Sequence, residues 1–304
     1  MNQQKPALNK HKPVLMAEVL EHLNLKPNGL YVDVTLGGGG HTRMILDAEP
    51  TCTVVGMDWD KDVLESTGKK LEEEYPGRFI PVWGNFSKIS LLLKKHKIGP
   101  VDGILADFGT SQIQIGNTPG LSVYRDAFLD MRMSSSHFKE TAYDVINFYS
   151  EKNLADIIFH LGGERHSRAI AREIVEQRKK KRLKTTQDLV DTVLSALSIT
   201  QKGRIHPATK TFQAFRIYVN KELDNIKSFL KNSVGLLKNK GRIVCISFHS
   251  LEDGIVKHFF REIARKGVPV VNILTKKVCT ASEEELKENK SARSAKLRAI
   301  EVDK

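Results

Sequence analysis

Val32-Asp33-Val34-Thr35-Leu36-Gly37-Gly38-Gly39-Gly40-His41-Thr42 decides the reading of this chain. A strand-like run passes into four consecutive glycines and then into a helical pattern over 41–48. Glycines at such a junction let the backbone approach a ligand with no Cβ in the way. The next strand-like run, Thr53-Val54-Val55-Gly56-Met57-Asp58, ends in a carboxylate 21 positions after Gly37. That spacing suits a hydrogen bond to a ribose diol, so the two strands together predict an adenosine-containing cofactor. The nicotinamide fingerprint fails in either register, because Thr42 or Arg43 stands where its third glycine belongs. No Walker lysine follows the glycines. Asp33 just before the glycines, with Asp58 ending the next strand, is the arrangement of S-adenosylmethionine enzymes. The predicted cofactor is therefore S-adenosylmethionine, with Asp33, Gly37 and Asp58 at its site.

Working outward, Leu30–Thr35, Thr53–Asp58, Phe79–Trp83 and Val101–Asp107 read as strands, with helical patterns over 41–48, 60–75 and 86–96. This alternation predicts βαβ units and a parallel sheet. Pro81 directs the third strand towards a sheet edge. The rhythm stops after Asp107. Residues 110–137 read as a long loop and 140–200 as helical. A single amphipathic helix is expected from about Lys210 to Leu237, because Phe212, Phe215, Val219, Leu223, Ile226, Leu230, Val234 and Leu237 recur at steps of three and four. Gly241–Phe248 restores the strand pattern, and Val270–Leu274 and Lys296–Val302 read as closing strands. The expected architecture is α/β, a doubly wound domain (1–110 and 211–304) interrupted by a mostly helical insertion (111–210). Ligands of such sheets bind outside the carboxyl ends of the strands. An insertion after strand four is therefore expected to overhang the active site and serve as a substrate domain.

The chain has 304 residues, 40% hydrophobic and 28% charged, which excludes disordered and collagen-like classes. No apolar run approaches the length of a membrane span, and Met1–Lys12 lacks the apolar region of a secretory signal. Three scattered cysteines exclude a disulfide framework and a cysteine-rich metal site, so a cytoplasmic location and no metal are expected. Lys plus Arg is 48 against 36 for Asp plus Glu, a net +12 that favours polyanionic partners, nucleic acid above all. The densest basic run is Arg178–Lys184. Asp107, ending strand four, faces the reacting group in this fold and is the candidate for accepting a hydrogen bond from an amine. After strand five, His249 is a candidate proton shuttle, and Ser250 is expected to cap the following helix with Glu252 and Asp253 at its positive end. Signatures of zinc deaminases, zincins and serine hydrolases are absent.

With these motifs in place, the chain resembles the bacterial MraW/RsmH family of 16S rRNA cytosine-N4 methyltransferases. The resemblance runs from His11-Lys12-Pro13-Val14-Leu15 to Ala292–Arg298. Its markers are Gly37–His41, Leu129–Met133, Gly162–Arg165, His206–Arg216 with Val219-Asn220, and Ser247–Asp253. It implies a Rossmann-like class I methyltransferase fold with a helical insertion. It implies cofactor contacts at Gly39, Gly40, His41, Asp58, Phe86, Asp107 and Gln114. Asp107 becomes the expected catalytic residue. Asp130, Arg132, Arg216 and Asn220 join His249 and Ser250 as substrate-side candidates. The implied reaction is methyl transfer to the N4 amine of a cytosine in the decoding centre. The implied partner is 16S rRNA in the small subunit, with the protein off the membrane and monomeric or homodimeric.

The sequence departs from the family pattern in one zone. Gln112 stands for a serine and Gly116 for an aspartate. Pro119–Val123 and Asp126–Ser134 are altered, and Gly254 replaces an arginine. These changes bear on substrate choice or rate, not on cofactor binding. The alternatives are a methyltransferase of the same fold acting on another nucleic acid, and a non-catalytic ribosome-assembly factor.

Overall fold

The computed structural model describes residues 12–109, 118–199 and 206–304. Its sheet holds seven strands: β1 Leu30–Asp33, β2 Thr53–Asp58, β3 Phe79–Trp83, β4 Val101–Asp107, β5 Leu237–Ser247, β6 Val270–Ile273 and β7 Lys296–Asp303. Their order is β3-β2-β1-β4-β5-β7-β6. β1 to β5 run parallel, and β7 lies antiparallel between β5 and β6. The strand order reverses between β1 and β4, the switch point outside which such sheets bind ligands. β3 takes the edge, where Pro81 leaves no central ladder bond unmade.

The strands are near-continuous apolar runs because both faces of the sheet are covered. Val32, Val55, Ile104 and Ile243 pack into one core. Their neighbours Tyr31, Val54, Leu105 and Val244 pack into the core on the other face. Helix α1 (Met16–Leu23) contributes Val19 and Leu23 to the second core. Helix α2 (Gly40–Ala48) follows β1. No helix of the described residues is long and apolar enough to cross a membrane.

The chain forms two compact units, Met1–Gly109 with Ile226–Lys304, and Thr110–Asn225. The return to the sheet unit thus falls at 226, where sequence analysis set it at 211. The second unit has its own core of Leu129, Met131, Ile158, Ile174, Leu189 and Phe215. Its helices are α3 (Ala142–Phe148), α4 (Glu151–Gly162), α5 (Ser167–Lys180), α6 (Thr186–Leu197) and α7 (Thr209–Val219). Thr141 with Asp144 and Thr185 with Asp188 begin α3 and α6 as reciprocal capping boxes.

The long helix expected over 210–237 is two helices, α7 and α8 (Glu222–Ser233), and β5 begins at Leu237. The break is at Asn220-Lys221, where Lys221 adopts a φ of 50°. Asn220 is fully buried. Its amide donates to the carbonyls of Met131 and Arg216 (2.8 and 2.9 Å), and its oxygen accepts the N–H of Met133 (2.8 Å). It thereby fastens the 131–133 segment to the end of α7. Asn220→Ala leaves the Met131 carbonyl and the Met133 N–H unpaired, while the Arg216 carbonyl keeps the backbone N–H of residue 220, so an unfolding loss of about 2–3 kcal/mol is expected by urea titration; an unchanged midpoint would contradict the bracket.

Candidate active site

Geometry at the end of β1 follows from the glycine run. Gly39 sits at φ 74°, a left-handed conformation that glycine adopts without strain. A Cβ on Gly40 would collide with Pro13 Cγ, so the segment 12–15 lies directly over the loop. That segment is held by Asn289, whose amide donates to the Lys12 carbonyl (2.9 Å), and by Glu285, which accepts the Leu15 N–H (2.8 Å). A Cβ on Gly38 would meet nothing within 4 Å, so the loop is open at this residue.

Three carboxylates lie at the carboxyl ends of β1, β2 and β4. Asp33 accepts from the Thr42 hydroxyl (2.7 Å) and the Thr35 N–H (3.1 Å), which ties the strand to the first turn of α2. Asp58 accepts the N–H groups of Gly37 (2.9 Å) and Asp60 (3.0 Å). Asp107 donates its own N–H to the Thr35 hydroxyl (2.8 Å), and its Oδ1 accepts the Gly109 N–H (3.3 Å). Asp107 Oδ2 stands 3.7 Å from His41 Nδ1. His41 Nε2 lies 2.8 Å from the Val14 carbonyl, which only accepts, so Nε2 carries the proton and Nδ1 faces Asp107. Burial pushes Asp58 up to about 7 and Asp107 up to about 6, the latter against the pull of His41, and burial raises Asp33 as well. The charge of Asp33 adds to the rise at both of the others.

An aromatic wall stands beside Asp58. The Phe86 ring lies 6.0 Å from Trp59, 5.9 Å from Phe108 and 5.8 Å from Phe229, centroid to centroid. Such faces suit the packing of a flat heterocycle.

Beyond β5, His249 caps helix α9 (Ser250–Lys266), the position sequence analysis gave to Ser250. His249 Nδ1 accepts the Glu252 N–H (3.4 Å), and Glu252 accepts the N–H groups of Phe248 (2.7 Å) and His249 (3.2 Å). Ser250 is the exposed first residue of the helix. Asp253, instead of serving the helix end alone, takes a two-pronged ion pair from Arg298 (2.6 and 3.1 Å).

Of the other substrate-side candidates, Asp130 and Arg132 grip each other (2.7 and 2.9 Å), and Arg132 also donates to the Phe138 carbonyl (3.1 Å). Arg216 pairs with Glu222 (3.0 and 3.1 Å). Together with the buried Asn220, these residues hold the second unit's own chain. Gln114 lies outside the described residues. The structure thus brings Asp33, Gly37, Gly39, Gly40, His41, Asp58, Phe86 and Asp107 around one strand-end rim. It adds Thr35, Thr42 and the Val14 carbonyl, which sequence analysis did not single out. The two threonines flank the glycines, but only the fold shows which carboxylate and N–H they serve.

A sequence profile of the MraW methylase family matches residues 8–303. Curated relatives named ribosomal RNA small subunit methyltransferase H include three of high similarity. The Carboxydothermus hydrogenoformans protein is 44% identical (96% of this chain, 97% of that one). The Caldicellulosiruptor bescii protein is 45% identical (96% and 98%), and that of a Sulfurihydrogenibium species 44% (95% and 97%).

The raised carboxyl of Asp107 has a sign for stability. A buried Asp whose carboxyl sits near 6 stabilises the fold below its unfolded value of about 4, and that contribution is lost as pH rises through about 6. Asp107→Asn should therefore raise the stability of the ligand-free protein at pH 8 by up to about 3 kcal/mol and leave it nearly unchanged at pH 4.5. Chemical denaturation at the two pH values reads this, and equal effects at both would contradict burial of the charge.

Proposed function

The chain belongs to the MraW methylase family, and from that premise we propose that it transfers a methyl group from S-adenosylmethionine to the N4 amine of a cytosine in the decoding centre of small-subunit 16S rRNA. The relatives' names support ribosomal RNA of the small subunit as substrate. The observation that carries the chemistry is Asp107, a desolvated carboxylate ending the strand at the switch point, with one oxygen facing the His41 imidazole and the other fixed by Gly109. A protein acting on ribosomal subunits works in the cytoplasm.

The cofactor fits this rim. Asp58 keeps lone pairs beyond its two backbone bonds for a ribose diol, Phe86 offers a face to adenine, and the loop is open at Gly38. The charge of Asp33 repels those of Asp58 and Asp107, and a cationic ligand relieves that repulsion. When bound, S-adenosylmethionine supplies an electrophilic methyl group on a positively charged sulfur.

The residues then have distinct work. The N4 lone pair of cytosine is delocalised into the ring, so attack requires the amine to be held out of conjugation. Asp107 accepts one N–H of the amine and turns its lone pair towards the methyl carbon. Methyl transfer to the amine would leave its nitrogen cationic, with one proton to lose. Asp107 takes it as the general base. His41, its Nε2–H held by the Val14 carbonyl, keeps its ring beside the same carboxylate. Thr35 fixes the Asp107 backbone. Alignment of this kind contributes up to about 7–11 kcal/mol in the best intramolecular cases. The target base must leave its stack to reach the rim, and the net positive charge of the chain holds phosphate.

The test is methyl transfer from labelled S-adenosylmethionine to small subunits from cells lacking this protein, with nucleosides identified by mass spectrometry. N4-methylcytidine at one decoding-centre position is expected. Asp107→Asn should lower turnover by roughly 10²–10³-fold. Methylation of another atom, or cofactor binding without transfer, would overturn the proposal.

A further inference from the structure

The second unit carries a row of three rings, two exposed and the middle one half-buried. Phe128 and Phe148, 47% and 61% exposed, are large apolar side chains facing solvent. Tyr143 joins them, 5.4 Å from Phe128 and 6.2 Å from Phe148 between centroids. The Arg182 guanidinium lies over the Phe148 ring at 4.7 Å and extends the row. Local structure forces this grouping. Phe128 pairs with Thr185 in an isolated β-bridge, Leu129 donates its N–H to the Lys184 carbonyl (3.0 Å), and Arg182 donates to the Asn147 carbonyl (2.8 Å).

Basic residues predominate around the row of rings, and one of them, Lys181, is paired with Asp188 at 3.5 Å. Six of the seven residues of Arg178–Lys184 are basic, and Leu183 alone is buried in the core. Arg178 is used structurally, donating to the carbonyls of Ile146 and Tyr149 (2.7 and 2.6 Å). Lys181, Arg182 and Lys184 remain exposed. The nearby acids are engaged: Asp144 and Asp188 in capping boxes, Glu140 with the Tyr149 hydroxyl. Exposed aromatic faces interleaved with cations are what unpaired nucleotides bind, because every base has a π-face and a phosphate. An isolated apolar patch would lack the cations, and a purely phosphate-binding patch would lack the rings.

We propose that Phe128, Tyr143, Phe148 and Arg182 form a stacking platform for unpaired nucleotides of an RNA, with Lys181 and Lys184 contacting its phosphates. The proposal rests on the RNA-directed function above and adds where the RNA is held. The platform reads single strands without strong sequence preference.

The experiment uses the full chain and a fluorescein-labelled 12-nucleotide oligocytidine RNA, followed by anisotropy. Phe128→Ala and Phe148→Ala should each raise Kd about tenfold. Phe148→Tyr should retain wild-type affinity, and Phe148→Leu, which keeps bulk but loses the π-face, should behave as the alanine variant. Binding to a 16-base-pair duplex RNA should change less than twofold. Cofactor affinity of each variant should stay at the wild-type value, which shows that the sheet unit is intact. Unchanged oligonucleotide affinity in both alanine variants overturns the platform. Equal losses on duplex RNA overturn it too. A wild-type dimer that both alanine variants dissociate, by sedimentation, assigns the rings to a second copy of the chain and likewise overturns it. Wild-type methyl transfer in the same preparations separates the two proposals. Transfer with unaltered RNA affinity rejects the platform alone, whereas ring-dependent binding without transfer rejects the proposed reaction and leaves the platform standing.

Discussion

Three carboxylates, the buried Asp33 and Asp58 and the half-buried Asp107, lie at the strand ends where the sheet reverses direction, and the rest of the site is arranged around their desolvation. An ionised carboxylate removed from water is costly unless paired or hydrogen-bonded. Each of the three is met by N–H or hydroxyl donors from the loops that surround it. The donors reach them because the glycine run lets the chain turn and lets Pro13 close over it. The hydrogen bonds do not fully offset desolvation, so the carboxyl of Asp58 is pushed up to about 7 and that of Asp107 to about 6. A site strained in this way favours a cation, and a sulfonium is a cation that also carries a transferable methyl group.

The second unit solves a different problem. Its helices are short and its loops long, so polar side chains do much of the fastening. Asn220 brackets Met131–Met133, and Asn147 donates to the Leu183 carbonyl and accepts its N–H (2.8 and 3.1 Å). Arg178 binds carbonyls at the end of α3. The basic run therefore divides: Arg178 and Arg182 bind carbonyls of the fold, Arg182 also covers the Phe148 ring, and Lys181 and Lys184 are exposed.

Much of this was legible in the sequence where the signal is local. The β1–glycine–α2 junction, the Asp58 spacing and the edge position of β3 follow from β-branched runs, backbone freedom and a missing proline N–H. Long-range bonds were not legible. The break at Asn220-Lys221 depends on carbonyl and N–H groups some ninety residues away in the chain, while apolar spacing continues unbroken across it. His249 takes the cap because Glu252 returns two bonds to its backbone side, which residue type alone does not distinguish from a Ser250 cap. The orientation of His41 is set by Val14, a carbonyl that no side-chain pattern marks. Asp130, Arg132 and Arg216 stand in family motifs, yet their charges are paired within the second unit, so position in a motif did not reveal whom they serve.

The central claim is that strained carboxylates select a cationic cofactor. It is tested most directly by counting protons released on binding, using calorimetry in buffers of different ionisation enthalpy. At pH 6.5 S-adenosylmethionine should displace roughly one proton from the Asp58 and Asp107 pair, and at pH 8.5 almost none. S-adenosylhomocysteine, which lacks the sulfonium charge, should displace distinctly less at pH 6.5. Equal proton release for the two ligands, or none for either at pH 6.5, would contradict the account.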